Sequence, residues 1–288
     1  MTSRLENCPA PAKLNLFLHV IGRRADGYHL LQTAFQLLEH GDTLHFQARA
    51  DGAIHRATPV PGVPEASDLC VRAARLLQAE VSRRRGQTPG ADIHLDKRLP
   101  LGGGLGGGSS DAATTLIALN HLWQARLTRA ELMALGLQLG ADVPFFLFGQ
   151  NAFGEGIGEA LTPLSIPEQW YVVVEPGIEV ATADIFSAQE LTRDTKPVKI
   201  LDFSDSPVGF GKNDLQEVAS RMHAPIRQAL SWLSGYGAAR MTGSGACVFC
   251  PFSDPQQADV ALAALPAGWK AWKSRGIARH PLDHLLES

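Results

Sequence analysis

The sequence predicts a mixed fold of strands and helices, in which antiparallel hairpins lead into a glycine-rich loop and helices follow it. Three observations carry this reading. Residues 13–20, KLNLFLHV, alternate side chains with the period of a strand. Residues 99–116, LPLGGGLGGGSSDAATTL, set a glycine run between a strand-like segment and an apolar run with helical spacing. The chain of 288 residues suits one large or two modest domains, enough to bury a substantial core.

Bulk properties exclude several classes. A hydrophobic share of 45% and a charged share of 19% fit a soluble globular protein. A formal net charge of −3 supplies no global field for nucleic acid or a membrane surface, so neither is an expected partner. An acidic small molecule would need local basic residues. No apolar run is long enough to span a bilayer. The start, MTSRLENCPAPAKLN, lacks the apolar core of a signal peptide, and a cytoplasmic location is expected. Cys247 and Cys250 form an isolated CxxC in a strand-like run. Residues three apart on a strand face opposite ways, so buried thiols in a reducing compartment are expected there and at Cys8 and Cys70.

Taken in order, Leu14, Leu16, Leu18 and Val20 share one face of the first strand, which reads as half-buried. Lys13, Asn15, Phe17 and His19 share the other, with Lys13 and Asn15 roughly 7 Å apart. Spacing alone allows that face to be either a site or plain solvent surface. Asp26-Gly27 marks a turn, and Tyr28 and His29 follow it. Such a pair can stack on and hydrogen-bond a base, though packing is the commoner role. Leu30 to Phe46 reads as strand, turn at His40-Gly41-Asp42, and strand; residues 51–67 read as irregular loop. Ser67-Asp68 resembles an N-cap for a helix over Leu69 to Val81, with Leu76 and Leu77 inward and Arg83 to Arg85 at its C-terminal end. Ala91 to Leu95 is the strand feeding the glycine loop, with Lys97 and Arg98 placed to supply charge.

Between Gly102 and Gly108 every residue but Leu105 is glycine. Glycine loses the most backbone entropy on ordering, so the run calls for a reason. Backbone without Cβ atoms can press against a ligand, and its N–H groups, with those of the next helix, can face an anion. Ser109, Ser110 or Asp111 can cap that helix, which runs to about Trp123. Thr128 and Glu131 form a capping box for a helix stopping near Gly140. Asp142 stands two residues before Pro144. An N-cap is the plainer role for it; an ionised carboxylate available as a base is the sharper one. Further on come a glycine turn at 153–159, a buried strand at Tyr171 to Val174 and a helix start capped at Thr182. Helices follow over Leu215 to Met222, Pro225 to Trp232 and residues 255–264. ARMTGSGACVF (239–249) reads as strand, tight turn, strand, and WKAWKSRG as a final strand.

Two familiar motifs fail. Gly102, Gly104 and Gly107 match G-x-G-x-x-G, but Glu131, the nearest acidic candidate, lies in a helix pattern rather than at a strand end. Gly103 to Gly108 resembles a P-loop opening with Ser109 where the lysine belongs. A lysine acting here comes from elsewhere, with Lys13 or Lys97 the obvious source.

Together the motifs resemble the GHMP kinases. PLGGGLGGGSSDAA (100–113) is similar to their phosphate-binding signature and MTGSGACVF (241–249) to their C-terminal glycine motif. PAKLNLFLHVIGRRADGYHLLQT (11–33), residues 96–123 and LGADVPFFLFG (139–149) resemble, more narrowly, the members that phosphorylate 4-(cytidine 5'-diphospho)-2-C-methyl-D-erythritol in the non-mevalonate isoprenoid pathway. The resemblance runs from about Pro9 to His284.

That resemblance implies a two-domain α+β fold: a ribosomal-S5-domain-2-like N-terminal domain over 1–163 that binds ATP, and a ferredoxin-like C-terminal domain over 164–288 that closes the substrate cleft. It implies transfer of the γ-phosphoryl group of ATP, with Mg²⁺, to the 2-hydroxyl of the substrate. By the same resemblance Asp142 is the general base and Lys13 its catalytic partner. The loop of Pro100, Leu101, Gly102, Gly103, Gly104, Leu105, Gly106, Gly107, Gly108, Ser109 and Ser110 holds the ATP phosphates, with Lys97 and Asp68 also at the nucleotide. Asn15 and Thr182 bind the substrate's polar middle. Tyr28 and Phe186 sandwich the cytosine, and His29 hydrogen-bonds its edge. Asp68 departs from the asparagine usual there; aspartate accepts from an adenine amino group but cannot donate to a ring nitrogen. Other readings are a GHMP kinase acting on homoserine or mevalonate, which have no base for Tyr28 and Phe186, or a catalytically inactive nucleotide sensor. Metal ligands and the choice between monomer and homodimer stay open; Ser110 is a Mg²⁺ contact by chemistry alone.

Overall fold

The computed structural model describes residues 3–205, 207 and 209–286. Two long strands form its spine. β1 (Arg4–Arg23) and β2 (His29–Arg49) pair antiparallel from end to end. The expected turn at His40-Gly41-Asp42 is not made, because β2 runs straight through it. Gly41 serves the crossing of the two strands instead: a Cβ there would lie 2.1 Å from the Ala10 carbonyl oxygen and 2.7 Å from Pro11 Cα. The half-buried expectation for β1 is also corrected. Lys13, Asn15 and His19 are buried with Phe17, since both faces are covered. Bulges in the β1–β2 register at Pro11/Lys13 and Asn15/Leu18 re-aim the side chains between them.

Within the nominal loop of 51–67 the chain forms a short strand, β3 (Ile54–Arg56), and one 3₁₀ turn. Helix α1 (Leu69–Arg85) leads to β4 (Gly90–Asp96) and, through the glycine loop, to α2 (Gly107–Leu122). Leu77 of α1 is buried and Leu76 only half-buried. α3 (Arg129–Leu137) opens on the expected Thr128–Glu131 capping box, and α4 (Val143–Phe148) follows Asp142. These helices share one apolar core with β2 and β4, built on Phe35, Phe46, Leu116 and Phe146 among others. The hairpin β5 (Ala152–Glu155) and β6 (Ala160–Pro163) extends the sheet through β2.

The rest is a second antiparallel layer. Strands β7 (Trp170–Glu175), β8 (Arg240–Met241), β9 (Val248–Phe252) and β10 (Lys270–Ile277) lie in the order β10, β7, β9, β8. The short helices α5 (Thr182–Ser187) and α6 (Ile200–Asp205) precede α7 (Asp214–Met222), α8 (Ala224–Leu233) and α9 (Pro255–Ala263). A core of Val172, Val174, Leu215, Ile226 and Val248 takes in Leu18 and Val20 from β1. β10 pairs with β7 over residues 270–275 and then with Leu37 and Leu38 of β2, so one strand stitches the two layers. All four cysteines are free and buried. Among the described residues no helix is long and apolar enough to cross a membrane.

A buried charge cluster ties the strands to the loop. Asp42 accepts the backbone N–H groups of Arg98 and Leu99 on Oδ1 and the Lys97 ammonium on Oδ2, at 2.6 Å. Lys97 Nζ also donates to Asp111 Oδ2 in the first turn of α2, at 2.7 Å. One ammonium therefore serves two carboxylates. Burial, opposed by Lys97 and reinforced by Asp42, pushes the Asp111 carboxyl up to about 8. Burial works against the Lys97 charge, but Asp111 and Asp42 together hold it above the ordinary lysine value.

Two outcomes follow from this packing. Gly41→Ala drives a methyl group into the β1 backbone, so urea denaturation should show a loss of about 1–3 kcal/mol or more; an unchanged midpoint would mean the strands do not cross this closely. Asp111 has a folded value raised above its unfolded one, so the stability it lends is full in acid and is lost as pH rises through about 8. Asp111→Asn removes that titration. Relative to wild type it should gain stability between about pH 4 and pH 8, the unfolded and folded values of the carboxyl, measured by urea unfolding at each pH, and a parallel pH dependence would contradict the cluster's charge assignment.

Candidate active site

The glycine loop enters α2 without the expected Ser or Asp cap. Gly106 is the N-cap residue, in the left-handed conformation with φ 71°, and Ser109, Ser110 and Asp111 lie inside the first turns. The helix thus begins three residues earlier than a Ser109 cap requires. The N–H groups of its first turn have no intrahelical partner and carry the positive end of the helix dipole. A Cβ on Gly106 would meet the Phe146 ring at 2.9 Å and Lys13 Cγ at 3.1 Å. At Gly104 a Cβ would lie 2.2 Å from the Thr242 carbonyl oxygen. The loop is therefore clamped between β1 and the C-terminal glycine turn. Ala246 N and Cys247 N donate to Gly102 O and Gly103 O, both at 3.1 Å.

The first strand brings the lysine that the loop lacks. Lys13 N donates to Leu105 O at 2.9 Å, fixing the strand to the loop. Its ammonium is buried and lies 3.4 Å from Asp142 Oδ2. The same Nζ donates to Asn15 Oδ1 at 2.5 Å, and Asn15 Nδ2 donates to Thr33 Oγ1 at 2.9 Å. Asn15 N in turn donates to Thr242 Oγ1 at 3.0 Å. Asp142 occupies the N-cap position of α4, yet its side chain makes no capping hydrogen bond. Its carboxylate is about one-third exposed and turns toward Lys13. Asp142 thus has the cap's place while its carboxylate is directed at the Lys13 ammonium instead.

A cleft of about 330 Å³ runs along these groups, lined by Lys13, Asn15, Gly104, Ser109, Asp142 and Gly243. At Thr182 and Phe186 it continues into a wider hollow of about 560 Å³ beside Arg23, Tyr28 and His29. Thr182 is the first residue of α5 and not its cap; its hydroxyl shares a 2.7 Å hydrogen bond with Ser244 Oγ in the C-terminal glycine turn. Tyr28 is 61% exposed. His29 stacks on the Phe186 ring, centroids 4.9 Å apart and 29° between planes. It thus stands against the ring wall as well as at the edge of the hollow. Burial, with the nearby Arg193 and Arg23 cations, lowers the His29 pKa.

Other expected residues are spoken for. Asp68 caps α1, accepting from Cys70 N at 2.8 Å and Val71 N at 3.3 Å on Oδ1, while Oδ2 pairs with buried Arg56 at 2.7 Å. Both its oxygens are engaged within the protein. Lys97 lies against the loop, 3.0 Å from the position of a Cβ on Gly107, with its charge already shared by two carboxylates. Ser110 Oγ is buried and has no hydrogen-bond partner among the described residues. Pro100, Leu101 and Gly103 face a separate hollow of about 520 Å³ behind the loop. Reading the sequence missed Thr33, Thr242, Ser244 and Arg193. Thr242 and Ser244 lie inside the C-terminal motif and Thr33 ends the motif of residues 11–33, whereas Arg193 lies outside every motif and carried no signal.

The geometry agrees with comparisons to known proteins. Family models described as GHMP kinases N terminal domain and GHMP kinases C terminal match residues 68–150 and 191–271. The chain is 68% identical over 285 residues to 4-diphosphocytidyl-2-C-methyl-D-erythritol kinase of Herminiimonas arsenicoxydans, covering 99% of each chain. It is 59% identical over 283 residues to the protein of that name from Azoarcus sp. (strain BH72), covering 98% of each. A crystal structure of 4-(cytidine 5'-diphospho)-2C-methyl-D-erythritol kinase superposes with TM-score 0.78 at 35% identity, over 93% of this chain and 98% of that one. A mevalonate kinase structure superposes with TM-score 0.66 at 14% identity, over 96% and 100%, which shows the shared fold alone. From its loop to its last strand, the chain belongs to the GHMP kinase family.

Proposed function

We propose that this protein is an ATP-dependent kinase that phosphorylates the 2-hydroxyl of 4-(cytidine 5'-diphospho)-2-C-methyl-D-erythritol, a step of the non-mevalonate route to isoprenoids. The observation that carries the reading is the Lys13–Asp142 pair, 3.4 Å apart at the mouth of the glycine loop, in a cleft that continues to Tyr28, His29 and Phe186. High identity over the whole chain to proteins of that name supports the substrate.

In this reading the tertiary hydroxyl lies beside Asp142. Its O–H bond breaks toward the carboxylate, the oxygen bonds to the γ-phosphorus, and the bond from phosphorus to the bridging oxygen breaks to release ADP. Lys13 has two tasks: its charge steadies the ionised Asp142 and stabilises the negative oxygen as the proton leaves. Proton transfer of this kind gives about 10²–10⁴-fold. The greater part of the rate comes from positioning and from charge met by the loop N–H groups and the α2 dipole. Asn15 and Thr182 line the path between hydroxyl and base and face the substrate's polar middle. Lys97 and Asp68 support the nucleotide side from beneath the loop and from the start of α1.

Mg²⁺ fits this site on one observation, the partnerless buried oxygen of Ser110, which is of the hard type the ion takes. Bound there with ATP, it would neutralise phosphate charge. The proposed domain boundary, 163/164, falls between β6 and β7. Four free thiols support a reducing, cytoplasmic setting.

Asp142→Asn keeps size and shape but cannot take a proton. Its kcat should fall about 10²–10⁴-fold with the KM for ATP within about twofold of wild type, followed as ADP release with the cytidine substrate. Full activity in that variant would overturn the base assignment. Lys13→Met should lower kcat comparably, because it strips the carboxylate of its buried counter-charge; a change confined to the KM for either substrate would assign Lys13 to binding alone.

A further inference from the structure

Against the wall of the hollow beside Tyr28 packs a residue that no motif marked. Arg193 lies in the stretch between α5 and α6, and its guanidinium makes four hydrogen bonds. Nε donates to His29 Nε2 at 3.1 Å, Nη1 to Leu191 O at 3.0 Å, and Nη2 to Phe186 O at 3.0 Å and Ala188 O at 2.7 Å. One rigid fork thus grips the histidine ring and the backbone of the phenylalanine stacked on it. Arginine in proteins is always charged and only donates. The nitrogen it faces must accept, so His29 is neutral and carries its proton on Nδ1. Among the described residues Nδ1 has no hydrogen-bond partner, and His29 lines the hollow. Burial and the two nearby arginines, which lower its pKa, act in the same direction.

We propose that Arg193 is the positioning residue that makes the site choose cytosine: it fixes His29 in the Nδ1–H form, so the pocket offers the base a donor. This rests on the cytidine substrate of the preceding section. The two pyrimidines differ where such a donor would meet them. Ring nitrogen N3 accepts in cytosine, but in uracil it carries a hydrogen. An N–H held toward N3 pairs with the first and collides with the second. Without Arg193 the histidine is free to place its proton on Nε2 and present a lone pair, and the distinction fades. The clamp on Phe186 O and Ala188 O also keeps the stacking wall in place, so Arg193 acts on base recognition and touches no reacting atom.

The test compares cytidine- and uridine-diphospho-methylerythritol as substrates for wild type, Arg193→Ala and Arg193→Lys. A misplaced donor left unpaired against uracil costs enough for a preference of about tenfold or more. Wild type should prefer the cytidine compound by that margin in kcat/KM. Arg193→Ala should lose most of the preference through the KM of the cytidine substrate, with kcat within about twofold. Arg193→Lys, which keeps a donor but not the fork, should retain part of it. Nitrogen-15 NMR of histidine-labelled wild type, without any substrate, should show His29 as the Nδ1–H tautomer, and this readout stands even if a variant fails to fold. An undiminished preference in Arg193→Ala, or an Nε2–H tautomer in wild type, would overturn the proposal. Wild type that turns over neither compound would instead overturn the substrate reading, and the tautomer measurement would then decide the Arg193–His29 pairing by itself.

Discussion

The site depends on how closely backbone can approach backbone at Gly104. A Cβ there would lie 2.2 Å from the Thr242 carbonyl oxygen, so no other residue lets the glycine loop and the C-terminal turn touch. That contact aligns everything around it. The Thr242 hydroxyl donates to Gly104 O and accepts from Asn15 N, and Leu105 O accepts from Lys13 N. Loop, first strand and C-terminal turn are remote in sequence and form one rigid frame. Lys13 reaches Asp142 from that frame.

The charges around the loop are nearly all answered before any phosphate arrives. Lys97 is shared by Asp42 and Asp111, Arg56 is paired with Asp68, and Lys13 faces Asp142. In the proposed reading an incoming triphosphate is left to the oriented N–H groups of the loop and of α2, whose first turn no side chain caps. Paired side chains keep the frame stable while it is empty. Backbone dipoles cost little to hold in place, because the fold has already ordered them.

Local chemistry was legible in the sequence, and long-range chemistry was not. The capping box at Thr128, the strand feeding the loop, the hairpin at 240–252 and most helices follow from spacing and punctuation within a few residues. The errors share one cause. Gly41-Asp42 looked like a turn because a glycine and an aspartate in a row usually end a strand. Here the glycine admits a crossing strand, and the aspartate holds Arg98 and Leu99, distant in the chain. The Lys13 face looked half-exposed because alternation cannot reveal a second layer packed over it. Lys13, Asp142 and the glycine loop were found through long ordered motifs. Thr33 and Ser244 lie inside motifs that do not mark them out, Arg193 lies outside any motif, and only folding shows what they touch.

β10 gives the molecule a particular order of assembly. Leu38, on the long strand that is made early, finds its partner only at Gly276. While the ribosome is still supplying the chain between them, the middle of β2 is a sheet edge with no strand beside Leu38. Such an edge attracts strands from other chains. The growing protein is therefore most vulnerable to aggregation in the interval before β10 arrives, and the same strand that closes this edge also completes the second layer by pairing with β7. A chain cut short just ahead of β10 would carry both the glycine loop and the Lys13–Asp142 pair, yet leave β7 and the middle of β2 without the strand that joins them.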